Sequence, residues 1–364
     1  MRIAAFMKYG DAAASTRQRL KQYEQMLRHH GIEVEYFPLL DNEHLRNITR
    51  GIRTSRLSLV KSYVRRFAAF FGLARFDVVW VHCELFPYLP GVFEKIAFRP
   101  GLPVVYDYDD AIFHMYDEVP NAFVRRALCN KLVPLMSRAS VCLCGNPYLH
   151  DYARRQCSNA IILPTVVDTD SYVPVDERSP EGPPVIGWIG SPSTWRYVRP
   201  LMPMLEAMAA SGRARVRIVG ASAAGEPDRS AHIEMVDWEE AREIADIQNM
   251  DIGIMPLPDE SWARGKSGYK LIQYMACGLP VIASPVGVNQ EIVTSDCGFL
   301  ASDEEGWRQA FERLLRDADL RRRLGANGRK RIVERYSLAA HAPRLLAALQ
   351  ALDDRGTGVG ARAA

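Results

Sequence analysis

Lys266, Ser267 and Gly268 stand just before a helix-patterned run, within Arg264-Gly-Lys-Ser-Gly-Tyr-Lys-Leu-Ile-Gln-Tyr-Met-Ala-Cys-Gly-Leu-Pro-Val-Ile-Ala-Ser284. A helix start leaves backbone N–H groups without acceptors and carries the positive end of the dipole. A lysine beside such a glycine-containing turn suits an anion, and a nucleoside diphosphate is its natural guest. The pattern predicts a helix from Tyr269 to Ala276, stopped by Gly278, with Pro280 opening a buried strand over Val281–Ser284. Two other clusters carry charge at strand ends. Gly10-Asp-Ala-Ala-Ala-Ser-Thr-Arg17 follows a first strand and leads into a helix, so its Gly10, Ser15, Thr16 and Arg17 stand where a phosphate or another ligand group could dock. Arg17 and Arg19 point toward an anionic group. Asp107-Tyr-Asp-Asp110 ends another strand. Its carboxylates read as catalytic groups, as ligands of a hard cation, or, for Asp110, as a cap on the turn that follows.

These clusters need a frame that brings strand ends together. Apolar runs alternate with helical patterns along the whole chain, so the fold class is α/β with parallel sheets. The expected strands of the first half are Ile3–Met7, Glu33–Phe37, Val78–His82, Val104–Asp107, Val141–Gly145 and Ile161–Pro164. Those of the second half are Val185–Ile189, Arg215–Val219, His232–Met235, Ile252–Pro256, Val281–Ser284 and Gly298–Leu300. Each half makes one doubly wound, Rossmann-like sheet that takes ligands at the carboxyl ends of its strands. The Pro-rich segment 168–184 reads as a linker between domains 1–167 and 185–352, with the final helix free to pack back on the first domain and 353–364 a flexible tail.

The bulk numbers agree with this frame and exclude others. With 364 residues, 48% of them hydrophobic and 24% charged, the chain suits two globular domains. A net charge of +3 does not mark a nucleic-acid binder, and no nucleic-acid partner is expected. The seven cysteines form no CxxC pair and suit reduced thiols in a cytoplasm. Cys142-Leu-Cys144 reads as a buried strand and not a zinc site. The apolar start Met1–Lys8 is too short for a signal peptide, and no apolar run is long enough to span a bilayer. No GxGxxG follows the first strand of either half, which argues against a nicotinamide-linked enzyme.

The segment Arg46–Phe71 stands apart. Val60, Tyr63, Val64, Phe67, Phe70 and Phe71 recur at helical spacing among Arg50, Arg53, Arg56, Lys61, Arg65 and Arg66. Such a helix can rest on an anionic membrane surface, or lay its aromatic stripe on the first sheet. The expected place is the cytoplasm, at the inner face of the plasma membrane.

Gly265–Ser284, followed by Pro285-Val-Gly-Val-Asn-Gln-Glu-Ile-Val293 and Cys297-Gly-Phe-Leu300, resembles the family 4 glycosyltransferases. Gly10…Ser15-Thr-Arg17, Asp107-Tyr-Asp-Asp110, Pro164-Thr-Val-Val-Asp168 and Gly187-Trp-Ile-Gly190 fall in the family's order. The resemblance implies a GT-B fold, two Rossmann-like domains facing across a cleft, and retaining transfer of a sugar without a metal or other cofactor. The donor would be a nucleotide diphosphate-sugar, and the acceptor a glycan or a lipid-linked glycan of a bacterial surface. Many relatives carry two glutamates where this chain has Gly265 and Gln273. Gln273 keeps the ability to hydrogen-bond ribose hydroxyls. Where many place an arginine after the first strand of the second domain, this chain has Gly190-Ser191, with Ser193, Thr194 and Arg196 following.

By position in the pattern, Gly190, Ser191, Arg196, Lys266, Ser267, Gly268, Tyr269, Gln273 and Glu291 face the donor. Lys266 and Arg196 make the cationic pair on the diphosphate, where charge grows as the glycosidic bond breaks. Asp109 stands where many relatives have a histidine near the reacting carbon. With Asp107 and Lys266 it completes the catalytic set, orienting a sugar hydroxyl or stabilising an oxocarbenium-like transition state. Trp238 stacks on the base or packs under the sheet edge, and His82 and His114 read as hydrogen-bonded packing residues. Two other functions stay open. A sugar-nucleotide epimerase would need no acceptor, and the missing glutamates would also suit a non-catalytic subunit that only binds a sugar nucleotide.

Overall fold

Strands form where the apolar runs predict them, with bounds shifted by up to three residues. The computed structural model describes residues 1–49, 52, 55–96, 101–175, 182–221 and 231–359. Arg50 and Arg53 of the basic segment lie outside the described residues, as do 176–181 of the linker and 360–364 of the tail. By contacts the chain divides into two units. One is Met1–Thr165 with Gly265–Ser267 and His341–Ala364; the other is Val166–Arg264 with Gly268–Ala340.

The first unit holds β1 (Arg2–Tyr9), β2 (Glu33–Leu40), β3 (Val78–His82), β4 (Val104–Tyr108), β5 (Val141–Cys144) and β6 (Ala160–Ile162). They form one parallel sheet in the order β2-β1-β3-β4-β5-β6. β3, β4 and β5 are buried at every position, which is why their sequences are continuous apolar runs instead of alternating ones. The strand order reverses at β1, so the sheet's switch point lies between β1 and β3.

The second unit holds β7 (Val185–Ile189), β8 (Arg215–Val219), β9 (Ile233–Val236), β10 (Ile252–Met255), β11 (Val281–Ala283) and β12 (Gly298–Leu300). Their order is β12-β11-β10-β7-β8-β9, all parallel, with the switch point between β7 and β10. Period-two alternation sorts the side chains onto two faces. Ile186 and Trp188 pack with Ile218, Ile254 and Phe311. Ile189 packs with Val219, Leu271 and Ile272. The helix Tyr269–Ala276 forms over the residues predicted; Leu271, Ile272, Tyr274 and Met275 are fully buried, and Gly278 ends it in the left-handed region at φ 74°. Burial of each such side chain contributes about 1.5–3 kcal/mol.

Three expectations need adjusting. The start of the 168–184 segment is not loose: Val167 bridges Ser337, and the Arg329 guanidinium donates to the carbonyls of Thr169 (2.6 Å), Ala276 (2.8 Å) and Tyr172. The last helix runs over Leu338–Val359, past the Leu352 end read from the sequence. In the basic helix, Arg56–Ala69, Arg66 is not a surface cation. It is 2% exposed and donates to the carbonyls of Met7 (2.7 Å), Phe37 (2.9 Å) and Leu85 (3.2 Å). Phe70 stacks on Phe6, as the packing alternative requires, whereas Leu57, Val60, Val64 and Phe71 point outward at 59–86% exposure. No helix among the described residues is long and apolar enough to cross a membrane. All seven cysteines are free thiols.

Candidate active site

At the carboxyl edge of the first sheet, most of the charged groups hold one another. Asp107, at the end of β4, is fully buried. Its Oδ1 accepts from Arg19 Nε (3.0 Å) and Nη2 (2.5 Å), and its Oδ2 from Trp80 Nε1 (3.3 Å). Burial opposes the Arg19 charge, but the fields of Asp107 and Asp109 outweigh it and raise the guanidinium pKa. The anion that Arg19 was expected to meet is therefore this carboxylate. Both Asp107 oxygens, expected to take part in catalysis, are engaged inside the core of the sheet.

The loop after β1 is likewise held from within. Gly10 N–H donates to Leu40 O (3.0 Å), and Asn42 Oδ1 accepts from Ala12 N–H (3.1 Å). Thr16 is buried and its hydroxyl donates to Tyr9 O (3.0 Å), so that hydroxyl is committed to the backbone. Ser15 is half-buried beside it. Arg17 donates to Ala12 O (2.9 Å) and Asp11 O (3.3 Å), which fastens the loop to the helix it opens.

Asp109 and Asp110 keep a different environment. Asp109 is 8% exposed, with Thr165 Oγ1 donating to its Oδ2 at 3.3 Å. Lys266 Nζ donates to both oxygens of Asp110, at 3.0 Å each. The sequence reading gave that ammonium to a diphosphate; here a carboxylate takes the anion's place. Asn146, at the end of β5, organises the same turn. Its Nδ2 donates to Gly265 O (2.9 Å) and Lys266 O (3.2 Å), while its Oδ1 caps the helix Pro147–Arg154 by accepting from Leu149 N–H (3.0 Å). Asn146 escaped the sequence reading, although Asn-Pro is a helix-start signal. His82, Cys83 and Asp109 bring one ligand-type atom each within 4.8 Å of one another. His114 bonds Asp117 (2.9 Å) and Tyr148 (2.8 Å), as a packing histidine would.

The carboxyl edge of the second sheet is built differently. Gly268 caps the helix Tyr269–Ala276 at φ 68°, and a Cβ there would collide with Ile292. Among the described residues neither the Ser267 nor the Gly268 N–H has a partner. Such N–H groups at a helix start are what an anion requires. Gly190 follows β7, its N–H donating to Val219 O (3.0 Å). Ser191 is exposed at the start of the helix Pro192–Trp195, and its N–H donates to Thr194 Oγ1 (3.2 Å). The Thr194 hydroxyl is thus spent on the cap. Arg196 lies exposed, donating to the Tyr197 hydroxyl at 2.8 Å, and that bond leads the causes that raise its pKa. Glu291 is exposed and Tyr269 half-buried.

Gln273 departs from expectation. It is 3% exposed, and its Nε2 donates to Tyr172 Oη (3.0 Å) and Glu243 Oε1 (2.9 Å). Tyr172 donates to the same Glu243 oxygen (2.5 Å), and Trp238 Nε1 to its Oε2 (2.8 Å). Gln273 therefore sits within a protein network at the position expected to face the ribose. Glu243, at the centre of that network, carried no signal in the sequence, since it reads as one of several acidic residues in an exposed turn.

The twin parallel sheets match known structures. Residues 183–317 match the family model described as glycosyl transferases group 1. The fold is of the GT-B class. Sucrose-phosphate synthase from Thermosynechococcus elongatus superposes with a TM-score of 0.72 at 17% identity, over 97% of this chain and 99% of that one. HepE of Anabaena in complex with UDP gives 0.66 at 15%, over 96% and 100%. WaaG, a glycosyltransferase involved in lipopolysaccharide biosynthesis, gives 0.66 at 13%, over 95% and 98%. HepE also has a structure with UDP-glucose. No curated protein matches the chain in sequence.

Proposed function

We propose that this chain is a retaining, metal-independent glycosyltransferase that moves a sugar from a nucleotide diphosphate-sugar to a glycan or lipid-linked acceptor. The observation that carries the reading is the turn Ser267-Gly268. It presents two N–H groups without a partner among the described residues at the start of a buried helix, inside the segment that matches the group 1 glycosyl transferases. The second unit holds the nucleotide, with the diphosphate on that turn. Lys266 leaves Asp110 for the leaving phosphate, where negative charge grows as the glycosidic bond breaks. The first unit holds the acceptor. Asp109, half of whose carboxylate remains unengaged by Thr165, orients a sugar hydroxyl or steadies positive charge at the anomeric carbon. Arg196 reaches the diphosphate only by leaving Tyr197, and Glu291 is left to the ribose.

The place of action is the cytoplasmic face of a bacterial membrane, in surface polysaccharide or glycolipid assembly. What supports it is the outward stripe Leu57, Val60, Val64 and Phe71 with exposed Arg56, Lys61 and Arg65 around it. Apolar side chains enter the headgroup region while the cations meet anionic lipids, each worth about 1 kcal/mol.

The test is a melting-point screen of the full chain with UDP, GDP and ADP, followed by donor turnover with each matching sugar. A nucleotide that binds the native state raises the melting point. Release of nucleoside diphosphate that depends on added acceptor, with no metal present and with the anomeric configuration kept, is the expected result. Turnover of the donor to an epimer without acceptor, or binding with no turnover at all, would replace the reading with one of the two other functions. Asp109→Asn is expected to lower transfer at least tenfold while nucleotide affinity holds; wild-type transfer would remove Asp109 from the chemistry.

A further inference from the structure

The switch point of the first sheet lies between β1 and β3. Lys8 and Tyr9 end β1 there, and Cys83, Glu84 and Tyr88 follow β3. Lys8 Nζ stands 5.5 Å from the ring centroids of both Tyr9 and Tyr88. Its side chain is half-buried, yet among the described residues no hydrogen bond or ion pair holds its ammonium. Burial works against that charge, but the fields of Tyr9, Glu84, Tyr88 and Cys83 prevail and hold its pKa raised. Glu84 is not its partner. That carboxylate accepts from the Tyr116 hydroxyl, and Lys131 Nζ approaches it to 3.9 Å.

The loop that supplies Tyr88 is strained. Cys83 and Tyr88 both sit at φ 62°, a region that costs a non-glycine residue about 1–3 kcal/mol. Surrounding bonds hold it there. Cys83 N–H donates to Asp107 O (2.8 Å), Tyr106 Oη to Cys83 O (2.9 Å), and Tyr88 N–H to Tyr116 Oη (3.1 Å). The outcome is a tyrosine ring held 60% exposed beside an ammonium that no described carboxylate pairs with directly. An aromatic face takes the C–H side of a sugar ring, and the cation takes an anion on the same sugar.

We propose that this edge is the acceptor subsite, and that the acceptor sugar carries an anionic group, a carboxylate or a phosphate, which Lys8 receives while Tyr88 stacks on the ring. The inference rests on the glycosyl-transfer reading and names its substrate class.

Binding to the full chain, followed by ligand-observed NMR and calorimetry without any donor, tests it. The probes are p-nitrophenyl β-glucuronide, p-nitrophenyl β-glucoside and the 6-phosphate of that glucoside. The glucuronide or the phosphate is expected to bind at least tenfold tighter than the neutral glucoside, and which of the two gains more tells carboxylate from phosphate. Lys8→Gln should erase the preference and Lys8→Arg should retain it. Tyr88→Ala should weaken every glycoside together. Affinity for UDP or GDP, measured on each variant, reports an intact fold and tests the donor reading separately. Equal affinity for charged and neutral glycosides, a preference that survives Lys8→Gln, or no binding of any probe at millimolar concentration would overturn the subsite while leaving nucleotide binding untouched.

Discussion

The two sheets share a strand count and a parallel sense, yet their carboxyl edges are made of different material. The first edge is made of side chains: Arg19 with Asp107, Lys131 with Glu94, Asp110 with Lys266, and two non-glycine residues forced to positive φ. The second edge is made of backbone, with Gly190, Gly220 and Gly268 letting the chain approach or turn where a Cβ would collide. Backbone N–H groups bind any phosphate alike, whereas side chains discriminate.

The largest effect should come from breaking the first edge's deepest pair. Arg19→Met leaves Asp107 charged and buried without its partner, and should destabilise the fold by about 3–5 kcal/mol. Chemical denaturation measures it. Arg19→Met with Asp107→Leu should recover most of that loss, because an apolar pair needs no compensation. If the double variant were as unstable as the single one, the pair would be holding more than its own charge.

Next in size is the second edge. Gly268→Ala adds a Cβ against Ile292 at positive φ and should push the turn off its geometry. Nucleoside diphosphate affinity should fall more than tenfold, with a smaller loss of melting temperature; unaltered calorimetric affinity would take the phosphate away from this turn. Lys266→Ala should weaken the same binding about tenfold, or about 1.4 kcal/mol. Its mirror is Asp110→Asn, which frees the ammonium from its carboxylate and should tighten nucleoside diphosphate binding severalfold. Weaker binding in Asp110→Asn would mean that Asp110 positions Lys266 instead of competing for it.

The sequence made one of these edges far more legible than the other. Strand runs, the helix Tyr269–Ala276 and its stop at Gly278 follow from periodicity and local backbone rules, which act over a few residues. So does the glycine turn. Partner choice acts over the whole chain. Arg19 finds Asp107 across 88 positions, and Gln273 finds Tyr172 across 101, and no local pattern announces either. Lys8 and Tyr88 were missed for the same reason: a lysine at a strand end is ordinary until the fold shows that no described residue hydrogen-bonds or ion-pairs with it. Arg66 shows the reverse error, a cation counted as surface because its helix is basic, when its guanidinium in fact fills three carbonyls at the sheet edge.

The smallest effect expected concerns the Glu84 carboxyl, beside Lys8 on the first edge. Burial raises its pKa, and Glu94 adds to the rise, while the Tyr116 hydroxyl, Lys131 and Lys8 pull the other way. An acid raised on folding keeps its proton in the native state over a window that opens at its unfolded value, near 4.5, and closes at the higher folded value. Within that window the native state binds more protons than the unfolded chain, so stability falls as pH rises, by at most about 1.4 kcal/mol per pH unit. Glu84→Gln still accepts from Tyr116 and no longer titrates. Its stability should therefore decline less steeply than the wild type's as pH rises from 4.5, with the two curves parallel once the folded carboxyl has ionised. Denaturant midpoints taken across that range decide it. Parallel curves throughout would mean that Lys8 and Lys131 compensate the buried carboxylate fully. Lys8 would then be spent on Glu84 like the other paired side chains of the first edge, and the contrast between a side-chain edge and a backbone edge would sharpen accordingly.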